Sequence, residues 1–278
     1  MSRADNPLVS ILVANYNNGR FIAETLESAV KQTYPVIEIV VIDDGSKDDS
    51  LQVIGRFMAT HPDCRIKLVE NSDNKGCGRI KRQCVEQSEG EYFCFLDPED
   101  TLTPEAIATL MAEHEKGSYS IVYATHYLCD EQLRSQGIST YPGPIPEGQS
   151  HLTSTKGHIS APALCRRSCY ERTEGINPKF YVAEDQDLYL KMEEVAPVLY
   201  IDKPLYYYRH HDHNTSWNKD KTFVNSYWRY HCVKAAYKRR KRNKTMVDNL
   251  SRKEMNRMRF SHWIRLIKRP IKCFYSTP

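Results

Sequence analysis

An α/β fold with a mostly parallel central sheet is what this sequence predicts, on three observations. Apolar runs of strand length alternate with helix-period segments through the first hundred residues, the connections between them are short, and three of the runs end in polar clusters. Val9 to Ala14 is an apolar run suited to a buried strand, and Phe21, Ile22, Leu26, Ala29 and Val30 then recur at helical spacing. Val36 to Ile42 reads as a second strand interrupted only by Glu38, ending in Asp43-Asp44-Gly45-Ser46. Ser46 with Asp49 has the spacing of a capping box, which predicts a helix carrying Leu51, Ile54 and Phe57. Ile66 to Val69 supplies a third strand. Glu91 to Leu96 supplies a fourth, ending at Asp97-Pro98-Glu99-Asp100. Thr103-Pro104-Glu105 opens another helix, because proline is tolerated at the first helical position.

After about residue 119 the pattern turns to short strands and irregular connections. Tyr141-Pro142-Gly143-Pro144-Ile145-Pro146 cannot continue a helix or a central strand and reads as a surface loop. Val198 to Arg209 is a closing strand, and the last sixty or so residues read as basic helices. The division expected is a body over 1–216, with a first half at 7–118 and a second half at 119–216, followed by a basic extension over 217–278.

A length of 278 residues, with 40% hydrophobic and 27% charged residues, excludes wholesale disorder and collagen-like repeats. The formal net charge of +4 hides an asymmetry. Residues 219–272 hold 18 Lys/Arg against 3 Asp/Glu, so the remainder carries 21 against 32 and is acidic. The nine cysteines show no C-x-x-C spacing and read as reduced, mostly buried thiols. Met1 to Asn6 is polar and leads into about seven apolar residues, too short for a signal-peptide core or a bilayer span, so the expectation is a cytoplasmic protein.

In an open parallel sheet, ligands bind beyond the carboxyl ends of the strands. Asn15-Tyr16-Asn17-Asn18, Asp43-Asp44-Gly45-Ser46 and Asp97-Pro98-Glu99-Asp100 all follow strands, and although each alone is ordinary turn chemistry, together they line one rim. Carboxylates at Asp97 and Glu99 can share a hard divalent cation that completes its shell with water and substrate phosphates, which implies a diphosphate ligand. Tyr16 offers a face for a base and Asp44 an acceptor for a pyrimidine edge. No Gly-x-Gly-x-x-Gly or Walker sequence is present, against ordinary dinucleotide and ATP sites.

Taken in order, VSILVANYN (Val9 to Asn17), QTYPVIEIVVIDDGSKDDS (Gln32 to Ser50), NKG (Asn74 to Gly76), GEYFCFLDPED (Gly90 to Asp100), AEDQDLYLKM (Ala183 to Met192) and YYYRHHDHNTS (Tyr206 to Ser216) resemble the inverting glycosyltransferases of family 2, with a GT-A fold. The resemblance covers roughly residues 7–216. It implies Tyr16 stacked on the nucleobase, Asp44 reading it, Asp97 near the ribose and in reach of the metal, and Glu99 on the metal, Mn2+ or Mg2+. It extends the donor site to Ala14, Asn15, Asp43, Lys81 and Pro98, places the catalytic base at Asp185, and puts His211 facing the metal or diphosphate. Ala14-Asn15 stands where the family usually has Pro-Thr, Lys81 where an Arg is common, and Glu99 where the second Asp of D-x-D is usual. Glutamate remains a hard carboxylate, whereas Lys81 keeps the charge but loses the bidentate fork.

Inverting transfer needs a carboxylate to take the acceptor proton, and Glu184 and Asp187 are read as supporting residues at a helix N-terminus. His210, His213 and His231 read as solvated or hydrogen-bonded, and Arg209 as a counter-charge for the leaving group. The implied partners are a UDP-sugar donor and a glycan or lipid-linked glycan acceptor, with nucleic acid not expected. Phe260, Trp263, Ile264, Ile267, Ile271 and Phe274, set among arginines and lysines, suit an anionic membrane interface on the cytoplasmic face. Two rivals differ in class. A sugar-phosphate nucleotidyltransferase would carry a Gly-rich basic loop where Asn15 to Arg20 has one Gly and one Arg, and a nucleic-acid-binding protein would have to act through the tail of an otherwise acidic chain.

Overall fold

The computed structural model describes residues 6–154, 157–211 and 222–243. A nine-stranded mixed sheet forms its centre, in the order β3-β2-β1-β4-β8-β6-β9-β5, with β7 paired to β6 at the side. β1 (Val9–Asn15), β2 (Ile37–Asp43), β3 (Ile66–Glu70) and β4 (Tyr92–Phe95) are parallel. β8 (Ala163–Arg166) runs antiparallel between β4 and β6 (Ile121–Cys129), and β9 (Val198–Arg209) runs parallel to β6. The short β5 (Thr101–Leu102) pairs with β9, and β7 (Ser135–Ile138) completes the set.

Period-two alternation sends side chains to both faces. On one face Val9, Ile11, Val13, Ile39 and Val41 pack against α1 (Ile22–Val30), α2 (Ser50–Thr60) and α4 (Ala106–His114). On the other, Leu12, Val40 and Ile42 meet α3 (Cys77–Gln87) and α6 (Glu184–Met192). Glu38, the one charge in the second apolar run, is buried and accepts hydrogen bonds from the Ser10 hydroxyl at 2.6 Å and the Gly90 N–H at 3.0 Å. The remaining helices are α5 (Arg167–Tyr170) and α7 (Thr222–Asn243).

Three expectations change. The helix expected to start at Ser46 starts at Ser50, because Ser46 gives its hydroxyl to Asp43 at 2.7 Å and its N–H to the same carboxylate at 2.9 Å. The region after 119, expected to be irregular, contains the nine-residue β6 at the heart of the sheet. The start of the basic extension packs on the body: α7 lies against α6, with Arg239 paired to Glu194 and Arg240 to both Glu193 and Glu194. The tail residues singled out above, 257–274, lie outside the described residues, as does His213. All eight described cysteines are unpaired thiols, six of them buried.

Candidate active site

The pairing Asn15↔Asp43 between β1 and β2, and Leu12↔Phe95 between β1 and β4, puts the three polar clusters on one sheet edge. Asn15 is buried and donates to Asp43 at 2.7 Å, while Asn17, held at φ 54, receives the Lys47 N–H at 2.7 Å and donates its own N–H to Ser46. This stitching makes Asn15 and Asp43 the frame of the rim and leaves the Tyr16 ring 41% exposed above it. Ala14, next to last in β1, is half-buried. Asp44 is buried and accepts the Lys75 N–H at 2.9 Å and the Gly76 N–H at 3.0 Å, so it anchors the turn before α3; burial raises its pKa, against the lowering effect of those two bonds. Gly76 has φ 90, and a Cβ there would sit 2.8 Å from the Tyr181 ring, so this turn requires glycine.

The acidic turn divides its carboxylates between outside and inside. Asp97 and Glu99 face the rim, with side chains 43% and 22% exposed, whereas Asp100 is buried. Asp100 accepts the Tyr206 hydroxyl at 2.8 Å and the Arg209 N–H at 2.7 Å; its pKa is raised, chiefly by burial and then by the charges of Asp97 and Glu99. Thr25 donates to the carbonyls of Pro98 at 3.0 Å and Asp100 at 2.8 Å, and Pro98 itself is buried. Arg209 does not act as the free counter-charge expected. Its buried guanidinium lies over Phe21 and donates to the Glu99 carbonyl, the Glu131 carbonyl and the Glu24 carboxylate, each at 2.6 Å, which fixes the turn from behind.

Asp100, Tyr206 and Arg209 thus act by positioning, and sequence reading missed two of those roles and misassigned the third. The only signal was a third acidic residue in the turn and aromatic-basic residues ending a long strand.

His211 Nε2 lies 3.8 Å from Glu99 Oε1, its ring 5.1 Å from Phe21. His210 donates its N–H to Cys129, and His231 packs among Tyr227, Trp228 and Tyr230 on α7. Among the described residues no three His, Cys, Asp or Glu side chains converge into a ready-made metal cluster. The donors present still suit a hard or borderline divalent ion: two carboxylates on one turn and a neighbouring imidazole are too few to enclose it, leaving positions for water and phosphate oxygens.

Lys81, on the buried face of α3, joins the two halves of the site. Its Nζ lies 2.9 Å from Glu184 Oε1 and 3.4 Å from Asp97 Oδ1. Burial alone would lower the Lys81 pKa, but Asp97 and Glu184 hold it well above its ordinary value. Burial likewise works to raise Glu184, and Lys81 more than offsets it, leaving Glu184 lowered. The Cys77 thiol donates to the same carboxylate at 3.2 Å. Asp187 pairs in the interior with Lys191 at 2.5 Å. Asp185 stands two residues after Ala183, a non-glycine residue at φ 63, and accepts the Gln186 N–H at 2.7 Å. Burial first, and the Glu184 charge next, push the Asp185 pKa up to about 6.

A family model described as "Glycosyl transferase family 2" matches residues 10–172. The chain is 34% identical over 216 residues to a chondroitin synthase of Escherichia coli, covering 77% of this chain and 30% of that one. It is 30% identical over 216 residues to a hyaluronan synthase of Pasteurella multocida, covering 77% and 21%. The chain therefore spans less than a third of the length of these curated relatives. Among solved structures it resembles S. aureus TarS 1–349 in complex with UDP-GlcNAc, with a TM-score of 0.67 at 20% identity, covering 92% of this chain and 72% of that one. It also resembles a mannosyltransferase from Pyrobaculum calidifontis in complex with GDP-Man and Mn2+, with a TM-score of 0.62 at 18% identity, covering 95% and 70%.

Proposed function

Because this chain belongs to glycosyl transferase family 2 and has the GT-A fold, we propose that it moves a sugar from a UDP-sugar to a hydroxyl of a glycan acceptor, with inversion, in polysaccharide or other surface-glycan synthesis. The observation that carries this reading is the Lys81 bridge, which sets a carboxylate of raised pKa one residue from Glu184 and beside the diphosphate-type turn at Asp97. Tyr16 stacks on the uracil and Asp44 borders it, on the frame of Ala14, Asn15 and Asp43. Asp97 and Pro98 shape the ribose side of the turn. Glu99 and His211, with Asp97 in reach, would hold Mn2+ or Mg2+, which when bound supplies Lewis-acid stabilisation of the diphosphate.

Asp185 takes the proton of the acceptor hydroxyl as its oxygen attacks the anomeric carbon. The bond from that carbon to the diphosphate breaks, its electron pair leaves with UDP, and Lys81 offsets the charge that accumulates. A base of pKa near 6 is ionised at neutral pH yet still basic enough to share the proton in the transition state.

Incubation with UDP-glucose, UDP-galactose and their N-acetyl forms should release free UDP with Mn2+ and much less in chelator; no release from any donor sinks the reading. Glu99→Ala should weaken UDP binding about tenfold or more in Mn2+ and little in chelator, with His211→Ala showing a milder version of the same pattern. Calorimetric titration of UDP in both buffers checks this, and equal losses in the two would make the roles structural.

The segment beyond α7 is proposed to attach the protein to the cytoplasmic face of a membrane through its apolar and basic residues. No described helix is long and apolar enough to cross one. Removal of residues 255–278 should abolish binding to vesicles containing phosphatidylserine while UDP release persists, whereas intact protein that ignores such vesicles at low salt refutes the attachment.

A further inference from the structure

A loop whose sequence looks like a mere connector reaches the helix that carries the proposed base. Tyr123 donates its hydroxyl to the Gly143 carbonyl at 2.7 Å, and the backbone at Pro142 pairs with that at His158. A Cβ on Gly157 would lie 2.3 Å from the Pro144 carbonyl oxygen and 2.4 Å from Gly143, so only glycine lets the two backbone stretches touch. The result is a stacked pair of rings, Tyr141 on His158 at 4.8 Å and 26°. The proline-rich stretch therefore serves as a rigid mount.

The Tyr141 hydroxyl then reaches two groups of different origin. Gln186, adjacent to Asp185, donates to it at 3.3 Å, and Arg229 of α7 donates to it at 3.3 Å. Tyr141 nevertheless keeps 40% of its surface exposed. Tyr181, 63% exposed, stands over Gly76 and beside Trp228 at 6.1 Å. An exposed tyrosine and an exposed guanidinium thus lie beside Gln186, the neighbour of the residue proposed as base, and no carboxylate pairs with Arg229 among the described residues.

Aromatic faces with a polar edge suit the apolar face of a pyranose, and a guanidinium with free N–H groups suits a carboxylate or phosphate as a two-point contact. An arginine donating to the tyrosine that also contacts the neighbour of the base is well placed to register an anion on the acceptor.

We propose that Tyr141 and Arg229 form an acceptor subsite, in which the ring carries the acceptor sugar and Arg229 selects one bearing an anionic group. This rests on the transferase reading and deepens it. It also assigns work to α7, which composition alone marks as part of an appendage.

The test uses the full chain, with UDP-GlcNAc and UDP-glucose as donors and three oligosaccharide acceptors ending in glucose, glucuronic acid or glucose 6-phosphate. Either charged acceptor should exceed the neutral one in kcat/KM by about tenfold or more, the difference lying in KM. The two charged arms separate carboxylate from phosphate recognition. Arg229→Gln should remove most of that preference, Arg229→Lys should restore part of it, and Tyr141→Ala should raise KM for all three. Thermal melting of each variant separates a lost contact from a lost fold, and Arg229→Lys, which keeps the charge, must melt near the wild type for its ratio to count. UDP release with equal use of all three acceptors, or a preference that survives Arg229→Gln, overturns the subsite while leaving the transferase reading intact. Absence of UDP release with every acceptor from these two donors and also from UDP-galactose and UDP-N-acetylgalactosamine overturns both.

Discussion

Asp185→Asn is expected to reduce sugar transfer by about a thousandfold while leaving UDP affinity within about a factor of two. An amide cannot accept the hydroxyl proton, yet it matches the carboxylate in size and can still accept the Gln186 N–H that holds it. Because burial and the Glu184 charge raise the Asp185 pKa to about 6, the wild-type kcat/KM should fall about tenfold per pH unit below that value, and the residual rate of the variant should not.

The same shift separates a chemical loss from an unfolded protein. An acid whose pKa is higher in the folded than in the unfolded state costs stability as pH rises from about 4 to about 6, since the unfolded chain ionises first. The penalty is on the order of 3 kcal/mol, and asparagine is free of it, so the variant should melt no lower than wild type at neutral pH. Single-turnover transfer with calorimetry of UDP checks the first part and thermal melting the second. Near-normal turnover would remove Asp185 from the mechanism.

Legibility in the sequence followed the range of the interactions. Asn15, Asp43 and Asp97 could be placed on one rim because strand ends are local and a parallel sheet aligns them. Which acid of the Asp97-to-Asp100 turn points inward could not be read, because the answer lies with Tyr206 and Arg209, more than a hundred residues away. The Ser46 capping box failed for a physical reason: Asp43 is a stronger acceptor within the same turn and takes both the hydroxyl and the N–H. α3 escaped notice because its segment is polar, follows Gly76 and contains Gly78, with only Ile80, Cys84 and Val85 to mark a buried stripe. Lys81 lies on that same stripe, so the charge assigned to the donor site is interior in the fold and bridges Asp97 and Glu184. In α7, a run of basic residues read as part of a basic extension, and Arg239 and Arg240 meet Glu193 and Glu194 just past the end of α6 and draw the helix onto the body.

Lys81→Met should be the most destabilising of the site substitutions. Lys81 and Glu184 have side chains only 10% and 7% exposed, and removing the lysine leaves the Glu184 carboxylate in the interior with the Cys77 thiol as its remaining close donor. Breaking one side of such a pair costs about 3–5 kcal/mol, a large share of the roughly 5–15 kcal/mol that holds a typical domain together. Methionine keeps an unbranched apolar side chain of similar length, so the loss reports the ammonium, including its place 5.3 Å over the Phe95 ring, rather than a cavity. Adding Glu184→Gln to Lys81→Met should recover most of the lost stability, since the double variant buries no lone charge, and the coupling from the four-protein cycle measures the pair.

The pH dependence has a defined sign. Glu184 is held below its ordinary pKa, so its contribution is complete above the unfolded value of about 4.3 and is lost as pH falls through the lower folded value. The double variant should lose that acid-side slope. UDP affinity should remain reduced in the double variant even where stability is restored, because the positive charge beside Asp97 is still missing. Denaturant titrations from pH 3 to pH 7, with UDP calorimetry at pH 7, decide the matter. A Lys81→Met protein as stable as wild type would show that Glu184 is not a buried charge held by Lys81, and the link between the two halves of the site would have to be sought in other residues.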